Sequence, residues 1–301
     1  MRTSCAIRLC QSFPKRGIQR LLSRATTVRP SFLEKRPLST ASSNPPQSTP
    51  ITLYVSGDST HFGFTEVSVN EKEGKVREVF DKVADNYDIM NDLMSGGLHR
   101  YWKDYLLEIS NVGEMAKLTR SSHASGVADA ELRILDVAGG TGDVAFRFVE
   151  AADCLERSKS SGEDQVSVTV CDINNEMLRV GEKRARSRFG DALLDQSKGL
   201  SFVQGNAQSL VAFPDNTFDL YTIAFGLRNV TDVDMALREA HRVLRPGGRF
   251  ICLEFSHVTL PILAEIYNTY SFQVIPAMGE LVANDRDSYQ YLVERYVAGY
   301  P

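Results

Sequence analysis

Five short apolar runs punctuate the middle and end of this chain: Leu132–Val137, Val166–Cys171, Leu200–Val203, Phe218–Phe225 and Arg249–Phe255. Each is too short for a buried helix and reads as a strand. Phe218–Phe225 is apolar on both faces and is expected to be central in its sheet. Helical segments lie between the runs, from Ala145 to Leu155, Asn175 to about Phe189 and Val233 to Leu244, the last stopped by Pro246-Gly247-Gly248. Alternation of strand and helix predicts right-handed βαβ units and an α/β fold with a doubly wound, mostly parallel sheet. Ahead of the sheet, Val76, Val79, Phe80, Val83 and Tyr87 recur at three and four residues, so Glu71–Tyr87 reads as an amphipathic helix within an N-terminal helical lid at 71–110. The polar, Gly/Ser-containing stretch Asn111–Asp129 reads as a loop. A polar insertion is expected at 150–166, most marked over Glu156–Gln165.

Composition adds a leader. Residues 1–41 carry nine basic residues and one acid, Glu34, among many Ser and Thr and with no continuous apolar segment. That pattern is expected of a mitochondrial transit peptide rather than a secretory signal. The Pro/Ser-rich stretch that follows makes 42–70 a largely disordered linker, leaving 71–301 as the folded domain. With a net charge of −4 overall and +8 in the leader, the rest of the chain stands at about −12. An acidic body disfavours nucleic acid as a partner. No apolar run approaches the ~18 residues of a membrane span. The five cysteines form no C-x-x-C pair and no zinc-like spacing, so neither a metal nor a disulfide framework is expected.

The chemistry concentrates at R-I-L-D-V-A-G-G-T-G-D, Arg133–Asp143. A strand there runs into Gly139, Gly140, Thr141 and Gly142 and then into a helix N-terminus, where unpaired N–H groups and the positive dipole end face a ligand. Gly140-Thr141-Gly142 followed by Ala145 also satisfies the dinucleotide fingerprint G-x-G-x-x-A. Asp172, after the second strand, suits a pair of ribose hydroxyls and serves NAD or S-adenosylmethionine alike; a helix N-cap is its plainer role. Two acids tip the balance. Asp136 and Asp143 flank the glycines, where they would repel a pyrophosphate and attract a sulfonium and an ammonium.

Several motifs carry a resemblance. L-D-V-A-G-G-T-G-D, C-D-I-N-N-E-M-L, Gly205-Asn206-Ala207 and R-V-L-R-P-G-G-R-F-I-C-L-E-F-S resemble class I S-adenosylmethionine-dependent methyltransferases. More narrowly, Tyr87–Trp102 (Y-D-I-M-N-D-L-M-S-G-G-L-H-R-Y-W), Phe225–Asp232 (F-G-L-R-N-V-T-D), Ser271–Pro276 and Leu281–Leu292 resemble the ubiquinone/menaquinone-biosynthesis C-methyltransferases. The resemblance runs from about His61 to Glu294. It implies a Rossmann-like class I methyltransferase fold that binds S-adenosylmethionine through Thr141, Asp172, Asn206 and Ala207, with Gly139, Gly140 and Gly142 shaping the loop. It implies C-methylation of a polyprenyl methoxy-benzoquinol ring in ubiquinone biosynthesis, within a multi-enzyme complex held peripherally at the matrix side of the mitochondrial inner membrane.

Methylating a ring carbon requires a polarised or deprotonated hydroxyl on the quinol, and Arg228 and Asn229 are placed to polarise it or orient a water, with Tyr87 adding a hydrogen bond. Arg228 alternatively pairs with Asp232, and Tyr87 alternatively packs in the core. His99 and Trp102 are expected to cap the lid and pack it on the body. Ile262–Pro276 is apolar and aromatic enough to line a pocket for the prenyl tail. Relatives of this kind continue past the equivalents of Leu292 and Val293 with a helix and two further strands, so the last two strands are expected to be missing and Phe250–Phe255 to be an uncovered edge. Three other functions compete: methylation of another small phenol or lipid, a non-catalytic scaffold of the biosynthetic complex, and, least favoured, NAD-dependent oxidoreduction.

Overall fold

The computed structural model describes residues 6–10, 59–62, 65–84, 87–123, 131–157, 166–194, 199–255, 261–283 and 286–298. In chain order the elements are β1 (Ala6–Cys10), β2 (Ser59–Phe62), β3 (Thr65–Ser68), α1 (Val69–Val83), α2 (Tyr87–Ser95), α3 (Leu98–Ser110) and α4 (Val112–His123). Then come β4 (Leu132–Val137), α5 (Asp143–Arg157), β5 (Val166–Asp172), α6 (Asn175–Phe189), β6 (Leu200–Gln204), β7 (Phe218–Ala224), α7 (Val233–Val243) and β8 (Leu244–Glu254). Three helices close the described chain: α8 (Pro261–Thr269), α9 (Ile275–Ala283), joined to α8 by a π-turn, and α10 (Arg286–Ala298).

The five expected strands form a parallel sheet in the order β8-β7-β4-β5-β6. Its period-two pattern divides the core. Leu132 and Ile134 face one layer with Leu106, Phe148 and Leu178, whereas Leu135 and Val137 face the other with Tyr221, Ala236 and Val243. Helices on both faces bury the sheet twice over, which is why its strands read as continuous apolar runs. In register, Val137 lies opposite both Cys171 of β5 and Ile223 of β7. The carboxyl ends of the three central strands therefore finish level and open onto one crevice, the usual ligand position of such sheets.

Four expectations change. Asn111–Asp129 is not a loop over its first half: Val112, Met115 and Ala116, at i, i+3 and i+4, are buried in the sheet core and make α4. The expected linker contains a hairpin of β2 and β3, and Ser68 ends it with a capping box, its Oγ accepting from the Glu71 N–H while the Glu71 carboxylate accepts from the Ser68 N–H. The lid helix is divided, with Tyr87 opening α2 rather than closing α1. The edge expected to be bare is paired, since β1 lies antiparallel on β8 from Ala6↔Glu254 to Cys10↔Phe250. An edge strand's N–H and C=O groups need partners, and Ala6–Cys10, inside the segment read as a leader separate from the folded domain, supplies them. Of the polar insertion, 158–165 lies outside the described residues; the rest of the leader and the linker before Ser59 do too.

A separate cluster holds the helical cap together. Val76 and Val79 of α1, Met90 and Met94 of α2, Ile275 of α9 and Tyr289, Leu292 and Val293 of α10 form it.

Candidate cofactor cleft and active site

The crevice at the ends of β4, β5 and β7 is an open cleft, ≈ 840 Å³ with the open solvent at its mouth included. Its inner wall comes from Ala138 and Gly140 after β4, Asp172–Asn174 after β5, Gly205–Gln208 after β6, and Ala224–Gly226 with Asn229–Thr231 after β7. Val76, Arg77 and Phe80 of α1 complete it from the lid.

Asp172 organises the wall. Its Oδ2 accepts from the Gly140 N–H at 2.8 Å and its Oδ1 from the Asn174 N–H at 2.8 Å. Burial pushes its carboxyl up, and the N–H groups of Asn174, Gly140 and Ile173 pull it back towards the charged form. The N-cap of α6 is not Asp172 but Asn174, whose Oδ1 accepts from the Met177 N–H. Asn174 also donates from Nδ2 to Asp81 Oδ1 at 2.8 Å, tying the lid helix α1 to the mouth of the sheet.

The glycine loop is a cradle. Gly140 has φ +54°, and a Cβ on Gly139 would meet Val170 at 2.8 Å and Asp136 Oδ2 at 2.9 Å. Asp136 is 1 % exposed; its Oδ1 accepts from the Thr222 hydroxyl at 2.7 Å, and its Oδ2 has no hydrogen-bond partner. Burial pushes this carboxyl up to about 7. The second acid, Asp143, behaves oppositely. Burial alone would raise it, but Lys103 and Arg147 outweigh that and hold it at about 2. Its charge is thus consumed within the protein by two cations. Of the two acids invoked to separate a sulfonium from a pyrophosphate, only Asp136 faces the loop with an unspent acceptor.

Among the expected cofactor residues, Gly140, Asp172, Asn206 and Ala207 stand in the cleft wall. Asn206 Oδ1 accepts from the Gln208 N–H at 2.9 Å, which orients its amide. Gly139 and Gly142 belong to the loop but not to the wall. Thr141 is buried, and its hydroxyl accepts from Arg184 of α6 at 3.2 Å rather than lining the cleft.

The expected catalytic residues separate. Asn229 lines the cleft, and its buried Oδ1 has no hydrogen-bond partner. Arg228, next in sequence, does not line it. Its guanidinium donates to Glu254 Oε1 at 3.1 Å and lies 4.7 Å from the centre of the Phe255 ring. Arg228 therefore pairs with Glu254, not with Asp232, which instead caps α7. The side chain of Tyr87 lies outside the described residues. His99 is buried beside Ser95 Oγ, 3.1 Å from Nδ1, away from the wall. Trp102 packs on Phe225 and Phe255 as expected of a lid anchor. Nor does Ile262–Pro276 line the cleft: Ile262 and Ile266 are exposed, while Tyr267 and Tyr270 donate to the Met94 and Leu93 carbonyls of α2.

Sequence reasoning missed Arg77, Phe80 and Asn174. The N-cap pattern in D-I-N-N-E announced Asn174, but nothing in sequence brings α1 across to it.

The donors and acceptors fit S-adenosylmethionine. A carboxylate at the strand-2 position suits ribose, and an unpartnered buried acceptor beside a glycine cradle suits an ammonium. Comparison with known proteins agrees. Residues 68–301 match the model of the ubiE/COQ5 methyltransferase family. The chain is 50% identical over 238 residues to the ubiquinone/menaquinone biosynthesis C-methyltransferase UbiE of Rhodopseudomonas palustris (strain BisB5), covering 79% of this chain and 82% of that protein. It is 46% identical over 262 residues to the mitochondrial 2-methoxy-6-polyprenyl-1,4-benzoquinol methylase of Gallus gallus, covering 79% and 77%. To the Arabidopsis thaliana enzyme of the same name it is 50% identical over 240 residues, covering 78% and 76%.

Proposed function

This chain belongs to the ubiE/COQ5 methyltransferase family and is an S-adenosylmethionine-dependent C-methyltransferase of ubiquinone biosynthesis; we propose that it methylates a ring carbon of a polyprenyl methoxy-benzoquinol in the cleft at the ends of β4, β5 and β7. The observation that carries the site assignment is the line of Asp172, Gly140, Asn206 and Asn229 along one wall.

When bound, the cofactor supplies an electrophilic methyl group. The chain's own residues do the rest. Asp172 accepts hydrogen bonds from the ribose hydroxyls, using lone pairs left over from its two N–H donors. Asn206 and Ala207 bound the adenine. Asn229 Oδ1, an acceptor without a partner, takes the hydrogen bond of the ring hydroxyl and so raises electron density on the ring carbon. Arg228 is a positioning residue: locked to Glu254, it fixes the turn Leu227–Asn229 that presents Asn229. Tyr87 is a further candidate for a ring-oxygen hydrogen bond.

The mitochondrial names of the animal and plant relatives support that compartment here. A finer placement, peripheral on the matrix side of the inner membrane and in a biosynthetic complex, is supported by the exposed apolar residues Ile262, Ile266 and Leu281. Among the described residues no helix is long and apolar enough to cross a membrane.

The test is calorimetric titration of S-adenosylmethionine, followed by a methylation assay on a short-chain methoxy-benzoquinol. Saturable binding abolished in Asp172→Ala, with turnover reduced about a hundredfold and binding retained in Asn229→Ala, is the expected result. A folded wild-type protein that binds no cofactor would make the cleft assignment wrong.

A further inference from the structure

Helix α1 is a strap over the cleft, and it is held unequally along its length. Between Lys72 and Asp81, about 14 Å apart along the helix axis, Val76, Arg77 and Phe80 line the cleft from the lid side. Lys72 Nζ reaches the Val230 carbonyl after β7 at 3.5 Å, a long contact, while Val76 and Val79 root the helix in the apolar cap cluster. At the other end the apolar anchor is small: Ala84, just past α1, meets only Met177 and Val180 of α6 in its cluster. There a polar contact takes over.

Asn174 makes it. The residue is 2 % exposed and serves three elements at once. Its backbone N–H donates to Asp172 Oδ1 at 2.8 Å, and its Oδ1 caps α6 by accepting from the Met177 N–H at 2.9 Å. Its Nδ2 is left for the lid, donating to Asp81 Oδ1 at 2.8 Å and, more distantly, to the Arg77 carbonyl at 3.4 Å. A cap needs only the Oδ1, which Ser or Asp would supply as well. The amide nitrogen is what reaches α1. Asp81 itself is exposed and does not line the cleft, so it touches the cofactor wall only through Asn174.

We propose that Asp81 is a positioning residue for cofactor binding: latched to Asn174, it holds α1 closed over the cleft, so that the lid side of the wall and the ribose acceptor Asp172 grip the cofactor together. The inference rests on the assignment of the cleft to S-adenosylmethionine. A hydrogen bond to a charged acceptor is stronger than a neutral one, and here it is made where apolar packing is least. Without it the closed lid is less populated, and the apparent affinity falls by that fraction. The chemical step is untouched, because neither partner of the latch reaches the reacting atoms.

The experiment is calorimetric titration of the full chain with S-adenosylmethionine, comparing wild type, Asp81→Ala, Asp81→Asn, Asn174→Ser and the double variant Asp81→Ala/Asn174→Ser. Asp81→Ala is expected to bind roughly tenfold more weakly, the loss of one charge-assisted hydrogen bond. Asp81→Asn keeps an oxygen that accepts the same bond and stays within about threefold of wild type. Asn174→Ser retains the cap of α6 but cannot reach Asp81, and it weakens binding about as Asp81→Ala does. The double variant is no weaker than either single one, because the same contact is lost once. In a methylation assay KM for the cofactor rises in Asp81→Ala while kcat at saturation stays within about twofold. Wild-type affinity in Asp81→Ala would overturn the inference. So would losses that multiply in the double variant, which mean two independent effects. A loss in Asp81→Asn as large as in Asp81→Ala would overturn it too, since it would mean that the charge of Asp81 acts on the cationic cofactor directly. The Asp81 variants alter an exposed side chain and decide the matter even where Asn174→Ser yields no folded protein. Absence of any binding by wild type would instead refute the cofactor assignment on which the inference rests.

Discussion

The sheet mouth and the helical cap lie side by side and are held by different forces. At the mouth the buried and half-buried groups are ionisable: Asp136, Asp172, the Lys103–Asp143 contact and the Arg228–Glu254 pair. In the cap they are apolar, with Val76, Val79, Met90, Met94, Ile275, Leu292 and Val293 packed together and two tyrosine hydroxyls bonded to carbonyls of α2. Burying charge is a poor way to stabilise a fold. It is a good way to hold acceptors rigid for a cationic ligand, because a preformed electrostatic site need not reorganise on binding. The cap does the reverse. Unbranched methionines adapt to varied shapes, and Ile262, Ile266 and Leu281 remain exposed.

This contrast is breakable at three points. The largest effect is expected from Arg228→Ala, which takes the guanidinium away from the buried Glu254 carboxylate and leaves it only its hydrogen bonds; urea denaturation should show a loss of about 3 kcal/mol. The exposed pair Arg179–Glu176 is the control, and Arg179→Ala should cost less than about 0.5 kcal/mol. Equal losses would mean that the mouth is not electrostatically special. Next comes the acid limb of stability. Asp143 is held at about 2 against an ordinary 3.8, so its contribution is present above pH 4 and disappears as pH falls from about 4 to 2. In Asp143→Asn that limb should flatten, with about 2 kcal/mol less stability at pH 5; an unchanged acid limb would exclude the pair as a stabilising contact. The smallest effect belongs to the cap. Tyr270→Phe removes one hydrogen bond to the Leu93 carbonyl and should cost about 1 kcal/mol by the same denaturation assay, with cofactor affinity unchanged. A cofactor effect as large as that of the mouth variants would dissolve the distinction between the two regions.

Much of the sheet half was legible along the chain. The strands were apparent as uninterrupted apolar runs because both faces are covered, and α6 begins and ends where its pattern does. The glycine cluster and the acid after β5 marked the cleft, since a close backbone approach and a carboxylate at a strand end are local properties. Less was legible where a pattern was sparse. The three apolar residues that bury α4 are diluted by Gly113, Ser and Thr, and the hairpin Ser59–Ser68 lies in a stretch whose neighbours are Pro and Ser. Partner choice was not legible at all. Arg228 has Asp232 four residues away, yet its carboxylate is Glu254, which β8 brings alongside through the parallel pairing of β7 and β8.

The sequence alone therefore determined the fold class, the family and the position of the cofactor loop, because each is written in residues close together in the chain and in the periodicity of burial. Only the tertiary structure decided which acid keeps a free acceptor and which is neutralised, that Asn229 reaches the cleft while Arg228 turns to Glu254, and that α1 and α3 reach the mouth. Those outcomes depend on distances between residues dozens of positions apart. Charge and hydrogen-bond energies fall so steeply with separation that a few ångströms, invisible in sequence, decide whether a group binds a ligand or another side chain.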